Sequence, residues 1–103
     1  MKTPIYPVRL ERPHMPDCYA IFAYQGGESR PVGFPFQTLD DLVANLTGLV
    51  AKIPQGVMQG NAEDLPDRMI QPPLGHVFPR PLNQEQQVTF MEAYQRMTNK
   101  DQR

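Results

Sequence analysis

From Thr38 to Ile53 the chain reads T-L-D-D-L-V-A-N-L-T-G-L-V-A-K-I, and no other stretch narrows the choice of fold as much. Leu39, Leu42, Val43, Leu46, Leu49, Val50 and Ile53 recur at i, i+3, i+4 and i+7. At about 100° per residue they line up as one apolar stripe, the mark of a helix with one face on a core. Thr38 stands where an N-cap hydroxyl is needed, Asp41 follows three residues on, and Pro54 cannot extend the hydrogen-bond ladder, so both ends are specified locally. The spacing predicts a single amphipathic helix over 38–53, laid on a small sheet.

The strands to receive it precede it. Ile5 to Arg12 alternates, with Tyr6, Val8 and Leu10 to one side and Arg9 and Glu11 to the other, as in a half-buried strand. After a loop over Pro13 to Asp17, Cys18 to Tyr24 is apolar on both faces and lacks proline, the pattern of an interior strand. Gln25-Gly26-Gly27-Glu28 supplies the positive φ of a tight hairpin. Arg30 to Phe36 then alternates Val32, Phe34 and Phe36 against Pro31, Gly33 and Pro35. Proline deletes a ladder donor, so Pro31 and Pro35 blunt one edge of the third strand and Pro7 blunts an edge of the first. The expected architecture is α+β: a three-stranded antiparallel meander in order 1-2-3, with one helix on a face against Tyr6, Val8, Leu10, Phe22 or Ile21, Phe34 and Phe36.

From Pro54 to Leu82 the periodicity gives way to a proline-rich stretch that retains Val57, Met58, Leu65, Met69, Ile70, Leu74, Val77 and Phe78. That is too much apolar matter for a solvated linker, so a loop packed on the sheet or on a partner is expected. Within it, Asn61 to Asp64 reads as one helical turn and Gly75 to Pro79 as a short extra strand. Asn83 to Lys100 reads as a C-terminal helix, capped by Asn83 with Gln86 reaching back and with Phe90, Ala93, Tyr94 and Met97 on one side, while Val88 and Met91 lie off that stripe. The tail from Asp101 to Arg103 is expected to fray. These pieces make one domain over 1–103: a sheet-plus-helix core over 5–53, a packed loop over 54–82 and a helix over 83–100.

A net charge of −1 with both signs scattered provides no basic face, so neither nucleic acid nor an anionic membrane is the expected partner. No apolar run approaches the roughly 20 residues of a membrane span. The single cysteine excludes an internal disulfide framework, and no leader pattern opens the chain, so a cytoplasmic setting is expected. His14, Asp17 and Cys18 lie within five residues, with His76 in the loop as a further candidate, yet their spacing matches none of the paired patterns of structural zinc. The plainer expectation is two solvated loop residues, His14 and Asp17, and a small buried apolar one, Cys18. Gly26-Gly27 is a turn rather than a phosphate cradle, because no helix follows it. Asp40-Asp41 and Glu63-Asp64 are acids of the kind helix starts favour. The Asn45-Leu46-Thr47 sequon falls inside a helix and is discounted. Pro72-Pro73 and Pro79-Arg80-Pro81 belong to a stiff packed loop more readily than to a polyproline ligand. No catalytic residue, metal or cofactor is expected.

Two surfaces are left for a protein partner. Opposite the leucine stripe, Ala44, Gly48 and Ala51 form a ridge of small residues, where Gly48 costs the helix about 1 kcal/mol relative to Ala; either the C-terminal helix, by its Phe90, Tyr94 and Met97 side, or a partner is expected there. In the long loop, Met69, Leu74, His76, Phe78 and Arg80 are the candidate anchors, with Phe and Arg the strongest by type.

Tyr6-Pro-Val-Arg-Leu-Glu11, Tyr19-Ala-Ile-Phe-Ala23 and Thr38-Leu-Asp-Asp-Leu-Val-Ala-Asn45 together resemble the amino-terminal domain of HicB-type antitoxins, in which strands precede a T-x-x-E-A-x-x-N helix. The likeness spans Tyr6 to Ile53 and carries over no site residues. In layout the chain is also similar to small phage-encoded anti-CRISPR proteins, where hairpins precede one short capped helix. The expected function is a non-enzymatic protein-binding module, an inhibitor or adaptor that blocks a larger prokaryotic complex, acting as monomer or homodimer. The alternatives are a HicB-like antitoxin, and a small enzyme or metal site around His14 and Cys18.

Overall fold

The computed structural model describes residues 1–62 and 65–101, with side chains through Asn99. Three long strands come first: β1 (Thr3–Arg12), β2 (Met15–Gln25) and β3 (Glu28–Phe36). They are antiparallel neighbours, as the alternation predicts, with Tyr6 opposite Phe22 and Phe22 opposite Pro31. The turn between the first two strands is tighter than expected, Arg12 pairing with Met15 and His14 taking a φ of 59°. Two short helices follow, α1 (Leu39–Ala44) and α2 (Leu46–Val50), then β4 (Val57–Gln59), β5 (Met69–Gln71), β6 (Gly75–Pro81) and α3 (Gln84–Asp101).

The three-stranded meander is therefore half of a six-stranded sheet in the order β3-β2-β1-β6-β5, with β4 pairing beside β1. Three strands come from the segment expected to be mostly loop, and one of them, β6, is the short strand expected at Gly75 to Pro79, two residues longer. β4 lies parallel to the start of β1, Thr3 opposite Val57 and Ile5 opposite Gln59, and β6 lies antiparallel to its end, Val8 opposite Pro81 and Glu11 opposite Phe78. Thus β1 is interior, not an edge. Pro7 permits this for a simple reason. The Thr3 N–H donates to the Gly56 carbonyl at 3.0 Å and the Gly60 N–H to the Ile5 carbonyl at 2.8 Å, so odd residues of β1 face β4. By alternation the donor that Pro7 lacks would point the same way, into the gap where β4 has ended and β6 has not begun. Pro31 and Pro35 do lie on a terminal strand, as expected.

The helix over 38–53 is two helices. Thr38 caps the first through its hydroxyl, which accepts from the Asp41 N–H at 3.1 Å. The break falls at Asn45, whose side-chain amide donates to the Asp41 carbonyl at 2.8 Å while its own N–H turns to Leu42 at 3.1 Å. An Asn side chain has taken the acceptor that an unbroken helix reserves for the backbone. The stripe survives the break: Leu42, Leu46, Leu49 and Ile53 are all buried. α3 begins with a reciprocal capping box, Asn83 N–H to Gln86 Oε1 at 3.1 Å and Gln86 N–H to Asn83 Oδ1 at 2.8 Å. No described helix is long and apolar enough to cross a membrane. Glu63, Asp64, Gln102 and Arg103, which carry part of the expected turn at Asn61 and of the expected frayed tail, lie outside the described residues.

Two cores sit on opposite faces of the sheet. On the first, Ile5, Ile21 and Ala23 meet Leu42, Leu46, Leu49, Phe90 and Tyr94 from the helices and Ile53 from the turn after α2. On the second, Tyr6, Val8, Leu10, Cys18, Ala20, Phe22 and Val77 meet Leu65, Met69 and Leu74 from the loop side. Tyr6, Val8, Leu10 and Phe22 hence face away from the helices rather than toward them, and the long segment is what covers them. Phe34 also departs from expectation, at 75% exposed. Between the pairs Ile21 with Val32 and Tyr19 with Phe36 the register slips, and Gly33 there has a φ of 73°, so the bulge turns Phe34 outward.

Two glycines separate backbone need from open space. A Cβ on Gly33 would meet Leu49 Cδ2 at 2.8 Å in a left-handed backbone, whereas one on Gly48 meets nothing within 4 Å. Urea unfolding should find Gly33→Ala less stable than the parent by about 1–3 kcal/mol. Gly48→Ala should be more stable by about 0.5–1 kcal/mol.

Candidate functional site

The helices roof only part of their face of the sheet. They cover β3, β2 and the start of β1, but His76, Phe78 and Arg80 on β6 belong to neither core. Strand alternation explains their shared direction. Val77 and Pro79 are buried, with Val77 in the second core, so the even residues between and beside them point to the helix side. Directly opposed residues share a face, which places Arg9 and Glu11 of β1 beside Arg80 and Phe78, and Ile70 of β5 beside His76. The result is an open end of the sheet where an apolar pair, Ile70 and Phe78, is set among charges.

Its electrostatics divide into two parts. Arg9 is engaged by two carboxylates, Glu11 at 3.0 Å and Asp17 at 3.2 Å, and with all three partly exposed the triad adds little stability but fixes the guanidinium in place. Arg80 has no carboxylate partner among the described residues. It lies over the Phe78 ring, 5.9 Å from the centroid, and donates to the main-chain carbonyls of Pro79 at 2.7 Å and Asp67 at 3.2 Å. A planar cation laid on an aromatic face is held without being neutralised.

Of the five loop residues singled out from sequence, the fold brings His76, Phe78 and Arg80 together. Met69 and Leu74 it sends to the other face, packed against the second core, where they anchor the β5–β6 hairpin from beneath. Arg9, Glu11 and Ile70 are not among the sequence candidates, and Asp17 enters there only with the residues weighed for metal or thiol chemistry. Arg9 and Glu11 are the polar half of an alternating strand and Ile70 the outward neighbour of Met69, so period-two reading, once β6 is known to pair with β1, identifies them.

The small-residue ridge is divided. Gly48 and Ala51 are exposed, and α3 does not lie over them: its Phe90 and Tyr94 enter the leucine side instead. Ala44 borders a groove of about 610 Å³ between α1 and α3, walled by Val43, Leu46, Ala93 and Met97 with Arg96 at its rim. A second groove of about 510 Å³ runs along the other flank of α3, past Val50, Val57, Tyr94 and Met97. Met97 faces both.

The residues weighed for metal or thiol chemistry separate. Cys18 is 4% exposed in the second core, Asp17 points to the opposite face toward Arg9, and His14 forms the exposed turn between β1 and β2. Among the described residues no three His, Cys, Asp or Glu side chains gather as a metal-holding group. Neither a family model, a curated protein nor a solved structure matches this chain.

Burial pushes the Tyr94 phenol above its ordinary value. The folded state then holds that proton more tightly than the unfolded chain does, so stability is full below the ordinary pKa of 10.0 and falls as pH rises past it. Denaturant midpoints measured from pH 8 to 11 should decline above about pH 10, and less steeply for Tyr94→Phe.

Proposed function

We propose that the protein is a non-enzymatic binding module, a small inhibitor or adaptor of the mobile-element anti-defence or anti-CRISPR kind, which works in the cytoplasm by occupying a surface on a larger prokaryotic complex. The observation that carries this reading is the open end of the sheet: Arg80 laid on Phe78 beside Ile70, which is 66% exposed. Arginine and aromatic side chains that are already held in place make effective anchors, because little freedom is lost when a partner closes over them. Prolines at 72, 73, 79 and 81 stiffen the hairpin that presents them. Ala44, Gly48 and Ala51 are the second contact surface in this reading, with the groove beside Ala44 open to a partner side chain.

The strand-strand-strand-helix order of the first half favours, as a second reading, a HicB-like antitoxin that uses the same surface on its toxin; a toxin gene beside this one is then required.

Affinity capture from lysate with the native protein and a Phe78→Ala/Arg80→Ala variant tests the surface. Both side chains are outside the two cores, so circular dichroism of the variant should match the parent. The native protein should recover its partner at least about tenfold better, the equivalent of roughly 1.4 kcal/mol. Equal recovery by a folded variant would remove the open end of the sheet from the account.

A further inference from the structure

The two terminal strands of the sheet are not alike. β3 carries Pro31 and Pro35 and a bulge at Gly33, whereas β5 contains neither proline nor glycine. We infer that β5 is a docking edge for an extended, acidic segment of a partner protein, an inference that rests on the protein-binding reading above and names the partner's chemistry.

The direction of the backbone groups comes from register. Odd residues of β1 face β4 and β6, so the opposed pairs Arg9 with Arg80 and Glu11 with Phe78 are the hydrogen-bonded ones. Alternation along β6 then turns residues 75 and 77 toward β5, where they meet Gln71 and Met69. Ile70 is left with its N–H and carbonyl pointing outward, and its side chain is exposed on the same residue. An outward donor, an outward acceptor and an apolar side chain are what an added strand requires. Pro66 and Pro72 lack a donor on either side of the edge, and within β5 the outward N–H is that of Ile70.

Charge selects the occupant. From Asp67 to Pro81 the chain carries Arg68 and Arg80 against the single acid Asp67, and Arg80 meets Asp67 through the main-chain carbonyl. Among the described residues neither arginine has an ion-pair partner, while Arg9 and Arg30 have theirs in Glu11, Asp17 and Glu28. A second copy of the chain, paired antiparallel about a two-fold axis at Ile70, would set Arg68 opposite Pro72 and bring no carboxylate to it. Three paired residues would also bury far less than the roughly 1,200 Å² of a stable dimer. An acidic segment supplies the carboxylates that these two arginines lack among the described residues.

The test is fluorescence anisotropy on the full chain, with a labelled decapeptide of alternating glutamate and valine, its lysine-valine counterpart, and a version of the first with N-methylated valines. The glutamate peptide should bind about tenfold more tightly than the lysine peptide and should lose about tenfold on N-methylation. Ile70→Pro deletes only the outward donor, since Met69 and Gln71 make the bonds to β6, and should weaken the glutamate peptide to the same degree; should that variant unfold, the methylated peptide still decides. Equal binding of glutamate and lysine peptides, undiminished binding on methylation, or no binding by either peptide overturns the inference. Dimers of the native chain that Ile70→Pro dissolves overturn it in favour of a second copy. If peptide binding fails while Phe78→Ala/Arg80→Ala still loses its captured partner, the binding-module reading stands and the edge alone falls.

Discussion

β1 is paired along both edges, with one face buried along its length and the other buried at its start, and the rest of the chain is arranged to make that possible. A strand in this position needs a partner for every backbone group and apolar cover above and below. β2 supplies one edge. The other is shared, β4 taking the start and β6 the end, and Pro7 occupies the one place on that side where no partner strand asks for a donor. The cover is equally divided: α1, α2 and α3 close over Ile5, Ile21 and Ala23, while Leu65, Met69 and Leu74 close over Tyr6, Val8 and Leu10. The long proline-rich segment is thus a structural layer, needed because the central strands are apolar on two sides.

This arrangement also decides where a function can be placed. With both faces of the central strands occupied, binding surface is left at the periphery, where the helical roof stops short of β6 and β5. There the same alternation that buries Val77 presents Phe78 and Arg80, and the ion pairs of Arg9 hold the neighbouring ground. The grooves on either side of α3 are of another kind, arising because α3 commits Phe90 and Tyr94 to the core while Met97 spans the space between helices.

What was legible in the sequence was local. Thr38 and the Asn83–Gln86 box cap their helices as their positions imply, since capping requires only a few adjacent residues. The leucine stripe and the two-sided apolar character of β2 were legible for the same reason. β4 and β5 were not, because three residues carry no measurable period, and β4 in addition pairs with residues more than fifty away, as in Thr3 with Val57. The break at Asn45 and the outward turn of Phe34 each follow from one residue, a side-chain amide and a bulge glycine, whose effect a periodic pattern passes over. The candidate site was half legible: His76, Phe78 and Arg80 share a face by simple alternation, but residue type favours Met69 where Ile70 is the outward member, and Arg9 gains its place only through the pairing of β1 with β6.

Amide hydrogen exchange on the native protein tests the central claim, that β1 is the saturated centre of the sheet and β5 its open margin. The N–H groups of Thr3, Ile5 and Arg9, directed at β4 and β6, should be protected close to the limit set by global unfolding, and that of Ile70 should exchange orders of magnitude faster. Exchange of Thr3, Ile5 and Arg9 as fast as Ile70 would contradict the account, since β1 would then have a free edge and the segment after the helices would not complete the sheet.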